Sequence, residues 1–218
     1  MAEADMLRRD AEALLALKQR RAARQDVERC ELCSRELGSS HPHLVDVVGR
    51  RIVCSCEACS LLFEGRTEGR YRRVPRDIVR LRDSILDDVD WNSLSIPISL
   101  AFFFFSSAAG KMMALYPSPA GATESLLPLD AWNAIAAREP RVQQLHPDVE
   151  ALLVNRLCTP AAYYIVPIDR CYELTGMIRK HWKGFSGGDE LWREVDAYFV
   201  RLHHERMGAG REHAGSLL

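Results

Sequence analysis

An excess of charge of one sign is missing from this chain: 29 Lys and Arg side chains stand against 30 Asp and Glu, a formal charge of −1 over 218 residues. Polybasic nucleic-acid binders and membrane-surface binders carry a large excess, so the balance argues against both. A long hydrophobic run is missing too. The most apolar stretch, residues 96–105 (IPISLAFFFF), contains Pro97 and is half of the about 20 residues a helical membrane span needs. It reads as a buried strand. Residues 1–10 lead into a charged, Ala-rich stretch and not into an apolar core with a cleavage site. The expectation is therefore no secretory signal and a reducing, cytoplasmic location.

Catalytic signatures are missing in the same way. Residues 106–112 (SSAAGKM) end in Gly-Lys but lack the first Gly and the following Ser or Thr of a phosphate loop. Residues 185–188 (FSGG) lack the GxSxG of a nucleophile elbow. CELC with His41 and His43 downstream has neither the Asp-His pair nor the later Asn of a zinc-knuckle nuclease. A redox dithiol would place its CxxC at a helix N-terminus after a βαβ strand, whereas Cys30 follows a predicted helix. The chain reads as a non-enzyme.

Cysteine is what the sequence has in concentration. Of seven, five (Cys30, Cys33, Cys54, Cys56, Cys59) fall within thirty residues, with Cys158 and Cys171 outside. Cys30-x2-Cys33, twenty intervening residues and then Cys54-x-Cys56-x2-Cys59 supply two close pairs, Cys30/Cys33 and Cys56/Cys59, that a hairpin can bring together into a tetrahedron. Four thiolates suit zinc, and tetrahedral sulfur also suits iron. A rubredoxin-type iron site would usually show Gly after each pair and Pro inside the second. Ser34, Ser60 and Glu57-Ala58 stand there instead, so zinc is preferred, with iron or an iron-sulfur cluster as the alternative. Cys54 falls on the same side of an extended strand as Cys56. It is either a further ligand, a free thiol or a small buried strand residue. His41 and His43 precede the hairpin and could join a mixed Cys/His site, with surface or outer-sphere roles as the alternative. Cys158 and Cys171 read as core thiols.

The rest divides into an uninterrupted helix over 4–28, the cysteine module at 29–75, a helix or linker at 76–90, a second unit at 91–207 and a flexible tail at 208–218. Within the module, residues 44–48 and 51–54 flank Gly49-Arg50 as a short hairpin. Pro75 opens a predicted helix with Ile78, Leu81 and Ile85 on one face. Seven arginines between 66 and 82 meet acids at 83–90, which reads as a balanced, solvated face. Strands are expected at 96–105 and 111–116, a turn-rich loop at 117–125, and a short helix capped by Asp130 and ended by Pro140. Further strands follow at 150–156 and 163–167. Asp169 is expected to cap a helix carrying Cys171, Leu174, Ile178 and Trp182. A last helix buries Leu191, Val195, Tyr198 and Leu202. The fold class is α+β: a zinc-ribbon-like module preceded by a helix and followed by short antiparallel strands and two C-terminal helices.

Several segments together carry a resemblance: CELC (30–33), HPHLVD (41–46), CSCEACSLLF (54–63), YRRVP (71–75), YPSPAGATES (116–125), DVEALLVNR (148–156) and residues 166–188. The chain resembles a bacterial family of unknown function encoded in gene clusters with nickel-iron hydrogenases. The resemblance implies an accessory protein whose partner is a hydrogenase subunit or maturation factor. Electron transfer through an iron site is the alternative function, and zinc-dependent nucleic-acid binding through residues 66–82 the third.

Overall fold

Residues 27–64, 69–81, 86–125, 129–184 and 186–212 are described by a computed structural model of the protein. The helix expected over 4–28 lies, but for its last two residues, outside that set.

The cysteine-rich segment forms a three-stranded antiparallel sheet, β1 (His43–Asp46), β2 (Arg51–Cys54) and β3 (Tyr71–Arg73), in the order β2-β1-β3. Its hairpin pairs Leu44 with Val53 and Asp46 with Arg51, so the turn falls at residues 47–50, around the Gly49-Arg50 the sequence marks. Asp46 is 2% exposed and holds this turn: its carboxylate accepts the Gly49 amide at 3.0 Å and two Arg70 hydrogen bonds at 3.1 and 3.2 Å. Helix α1 (Glu57–Phe63) follows β2 directly.

The second sheet has six antiparallel strands in the order β4-β9-β8-β5-β6-β7. They are β4 (Val79–Arg80), β5 (Leu100–Ser106), β6 (Lys111–Ser118), β7 (Gly121–Ser125), β8 (Glu150–Asn155) and β9 (Ala162–Pro167). Short helices α2 (Asp88–Ser93), α3 (Leu129–Arg138) and α4 (Pro140–Gln143) lie between strands, and α5 (Ile168–His181) and α6 (Asp189–Glu212) close the chain. The sheet is buried on both faces. Leu100, Phe102, Ala151, Leu153, Tyr164 and Val166 face α5 and α6, while Ala101, Phe103, Leu152, Val154, Tyr163 and Ile165 face Trp91, Trp132 and Val142. A strand with two buried faces needs apolar residues at every position, which explains why 100–104 is continuous and not alternating. Val45 of β1 and Val74 after β3 pack into the α5/α6 core, so the cysteine-bearing sheet shares that core with the larger one. Arg72 of β3 adds a polar strut, donating to the Pro147 carbonyl at 3.1 Å and pairing with buried Asp148 at 3.2 Å.

Several expectations need correction. No helix begins at Pro75. Residues 74–78 are irregular, and Val79 and Arg80 pair with Ile165 and Tyr164 as an edge strand. Helical spacing would set Ile78 and Leu81 on one face, but extended backbone sends them to opposite faces, where each is buried in a different core. Ile85 lies outside the described residues. The loop expected at 117–125 is a tight hairpin between β6 and β7, with Ser118 opposite Gly121. Pro117 sits inside β6 without breaking the ladder because β5 pairs only as far as Leu115 and leaves that edge free. The helix expected to be capped by Asp130 starts at Leu129, and Pro140 opens α4 at its first position. The last helix continues past Gly208 to Glu212. Cys171 is fully buried as expected, but Cys158 is an exposed thiol in the turn after β8. Among the described residues no helix is long and apolar enough to cross a membrane.

Candidate metal centre

The first cysteine pair sits on a turn closed by local hydrogen bonds. The Cys30 amide donates to the Arg35 carbonyl at 2.8 Å, the Ser34 amide donates to the Cys30 carbonyl at 2.7 Å, and Arg29 and Glu36 pair across its base at 2.6 Å. Ser34 completes the turn at φ +62°, the left-handed region that glycine normally fills after such a pair. Glu31 docks the turn on the hairpin. Its amide donates to the Cys54 carbonyl, and its carboxylate accepts from the Cys54 amide and pairs with Arg51. The second pair is carried differently: Cys56 is the N-cap residue of α1 and Cys59 lies in its first turn. One knuckle and one helix start, joined by a hairpin, thus bring the two pairs together.

One sulfur from each of Cys30, Cys33, Cys56 and Cys59 lies within 4.8 Å of the others. The Cys33 and Cys56 sulfurs are 3.7 Å apart. Tetrahedral zinc with bonds of about 2.3 Å sets its sulfurs about 3.8 Å apart, so this spacing already fits the ion. Cys30, Cys56 and Cys59 are buried beneath Leu32, Leu37 and Phe63, while Cys33 is exposed. Burial acts against ionisation of the Cys30 thiol, but amides of Cys56, Leu32 and Cys33 and the Cys33 thiol outweigh it and hold it at about 6. Burial and hydrogen bonds to the other three thiols push Cys59 far up. Four thiolates crowded together repel one another, and a divalent cation is what allows all four to ionise.

Cys54, His41 and His43 do not join this cluster. They make a second group, one ligand atom of each lying within 4.8 Å of the others. Burial and the charges of Glu28 and Glu31 raise the Cys54 thiol. Asp169, expected as a helix cap, stands beside this second group instead. It does not cap α5, whose N-cap is Pro167; its carboxylate meets His43 Nδ1 at 2.7 Å. No local signal marks that contact, since 126 residues separate the partners. Cys171 and Cys158 belong to neither group. A cavity of about 590 Å³ lies elsewhere, lined by Val47, Ile52, Phe104, Met113 and Tyr172 among others, and no cysteine reaches it.

An antiparallel α+β fold with a four-thiol, zinc-ribbon-like cluster defines the class: a protein with a site able to bind a metal such as zinc. Within that class, the chain belongs to the family of unknown function DUF5947, which matches residues 29–206 and so spans every cysteine. No curated protein and no solved structure matches the chain.

Proposed function

We propose that the protein is a non-catalytic, zinc-binding accessory protein of a nickel-iron hydrogenase or of its maturation machinery, acting through protein-protein contacts. The observation that carries the metal half is the four-thiol cluster, with its 3.7 Å sulfur spacing and its apolar cover on three of four ligands. Zinc is favoured by donor set and by the residues flanking the pairs, and a closed structural site folds a segment too short to hold itself. Helix α1, anchored by two of the ligands, shows Leu61 and Leu62 at 59% and 45% exposure. These side chains suit a partner surface better than water. The hydrogenase half rests on the resemblance of the cysteine and C-terminal segments.

Anaerobic purification with metal analysis and an absorption spectrum tests the metal. The expected protein is colourless, carries zinc at the four-cysteine site and loses it in Cys59→Ser. Bound iron with visible absorption would instead establish the electron-transfer alternative, which the exposed Cys33 would serve by bringing the metal near the surface. Affinity capture from the native host tests the partner. Recovery of a hydrogenase subunit or maturation factor supports the reading, and its absence from every capture overturns that half.

A further inference from the structure

We propose a second metal site, separate from the four-cysteine cluster, in which His41, His43 and Cys54 bind a divalent late transition ion such as zinc and leave a fourth position open. It stands on its own ligands and does not depend on the reading of the first site.

The tautomers prepare both imidazoles. His41 Nδ1 lies 2.9 Å from the Gly38 carbonyl, which can only accept, with the Glu28 carboxylate at 3.6 Å on the same nitrogen. The Nδ1 proton therefore points at that carbonyl, and in the neutral ring the lone pair is on Nε2. That nitrogen is buried with no hydrogen-bond partner, in a side chain only 7% exposed. A buried acceptor with nothing to accept is costly, and a cation removes the cost. The same logic holds for His43. Its Nδ1 faces the Asp169 carboxylate at 2.7 Å, so it donates there and offers Nε2. A carboxylate behind the imidazole is the usual support of a metal-bound histidine, fixing the tautomer and raising its basicity. Asp169 itself has its other oxygen, Oδ1, buried and unpartnered. The group is thus short of positive charge.

The third ligand is set by the strand. Cys54 ends β2 opposite His43 in the register of the hairpin, and the His41 and His43 rings meet edge to face with centroids 4.9 Å apart. One ligand atom of each residue lies inside 4.8 Å of the others, close enough for a single ion to gather the three. Two imidazoles and a thiolate suit zinc, cobalt, nickel or copper and not the hard cations. Three protein ligands leave zinc a position for water or a small anion, as in sites that activate a ligand and unlike the closed four-thiolate site. The two positive charges of a divalent ion balance the Cys54 thiolate and Asp169. Asp169 is a positioning residue reached from α5, so this site joins the cysteine-bearing sheet to the larger domain.

Zinc and cobalt(II) serve as the probes, on the full chain stripped and reloaded without oxygen. The expected wild-type protein binds two equivalents. His43→Ala and Cys54→Ser should each lower this to one, with the cobalt spectrum reduced to that of the four-thiolate site. Asp169→Ala should weaken only the second equivalent, by about 10–100-fold. Azide should shift the second cobalt spectrum and not the first. One equivalent in the wild type, unchanged in His43→Ala and Cys54→Ser, would overturn the proposal, as would loss of a single shared metal in both Cys54→Ser and Cys59→Ser. One equivalent lost in Cys54→Ser but kept in Cys59→Ser would support this site and overturn the four-cysteine reading. If Cys59→Ser does not fold, the Cys33→Ser variant, altered at the exposed ligand, makes the same comparison.

Discussion

Each cysteine in this protein has a chemistry set by its surroundings and not by its type. Cys30 lies under apolar side chains yet receives several backbone amides, and its thiol is held at about 6. Cys171 is fully buried, and burial with the nearby Asp169 charge drives its thiol well up, which leaves it inert. Cys158 is exposed and outside both ligand groups. Alkylation of the zinc-loaded protein, followed by mass spectrometry, should therefore label Cys158 first. Cys33, although exposed, should react only after a chelator is added, because a metal-bound thiolate is a poor nucleophile toward the reagent. Equal labelling of Cys33 and Cys158 before chelation would contradict the metal assignment. Serine at position 34 is legible only in part. It departs from the glycine usual after a cysteine knuckle, and the structure places it at φ +62° all the same, where a closing turn must go.

Among the elements, the β1–β2 hairpin does the most to place the site, since it carries His43, Cys54 and the entry to α1. Its turn depends on Asp46. The two Arg70 hydrogen bonds, opposed by burial and helped by the Gly49 amide, hold the Asp46 carboxyl below its ordinary value. The unfolded chain then takes up this proton more readily than the folded one. The stability that Asp46 supplies is therefore complete above the ordinary carboxylate range of about pH 4 and is lost as pH falls into and below it. Urea unfolding across that range should show Asp46→Asn less stable than the natural chain near neutrality and the two converging in acid. Parallel pH profiles would remove Asp46 from this role. The hairpin itself was readable from two β-branched runs about Gly-Arg. The segment after Pro75 was not, because the i, i+3 spacing of Ile78 and Leu81 fits one helix face, whereas a strand buries both only if it has a core on each side. Only pairing with β9 and the presence of a core on each side of the sheet decides for the strand.

At the scale of the molecule, the two sheets are joined by a shared core and by polar contacts. Val45 and Val74 enter the α5/α6 core, Arg72 reaches Pro147 and Asp148, and His43 reaches Asp169. Asp148 is 6% exposed and also accepts the Ser107 amide at 2.8 Å, so it ties the β5–β6 turn to β3. Removing Arg72 leaves this carboxylate buried with its charge uncompensated. Arg72→Ala should cost about 1–3 kcal/mol of stability. Hydrogen exchange should show the added opening in β3 and at the β5–β6 turn more than in central β8, and unchanged unfolding would show that the apolar contacts alone hold the sheets together.

The sequence by itself determined the ligand set proposed for the first site, the hairpin between its two halves, and the α+β alternation of apolar runs. Those are local matters: cysteine spacing fixes what a turn can gather, and apolar runs of strand length report burial within a few residues. Tertiary structure alone decided that Cys54 and the two histidines form a group of their own, that Asp169 leaves its helix start to support His43, and that Ile78 and Leu81 part to opposite cores. Each of these depends on which distant strand or helix arrives beside the residue, and hydrophobic period and motif spacing carry no record of that.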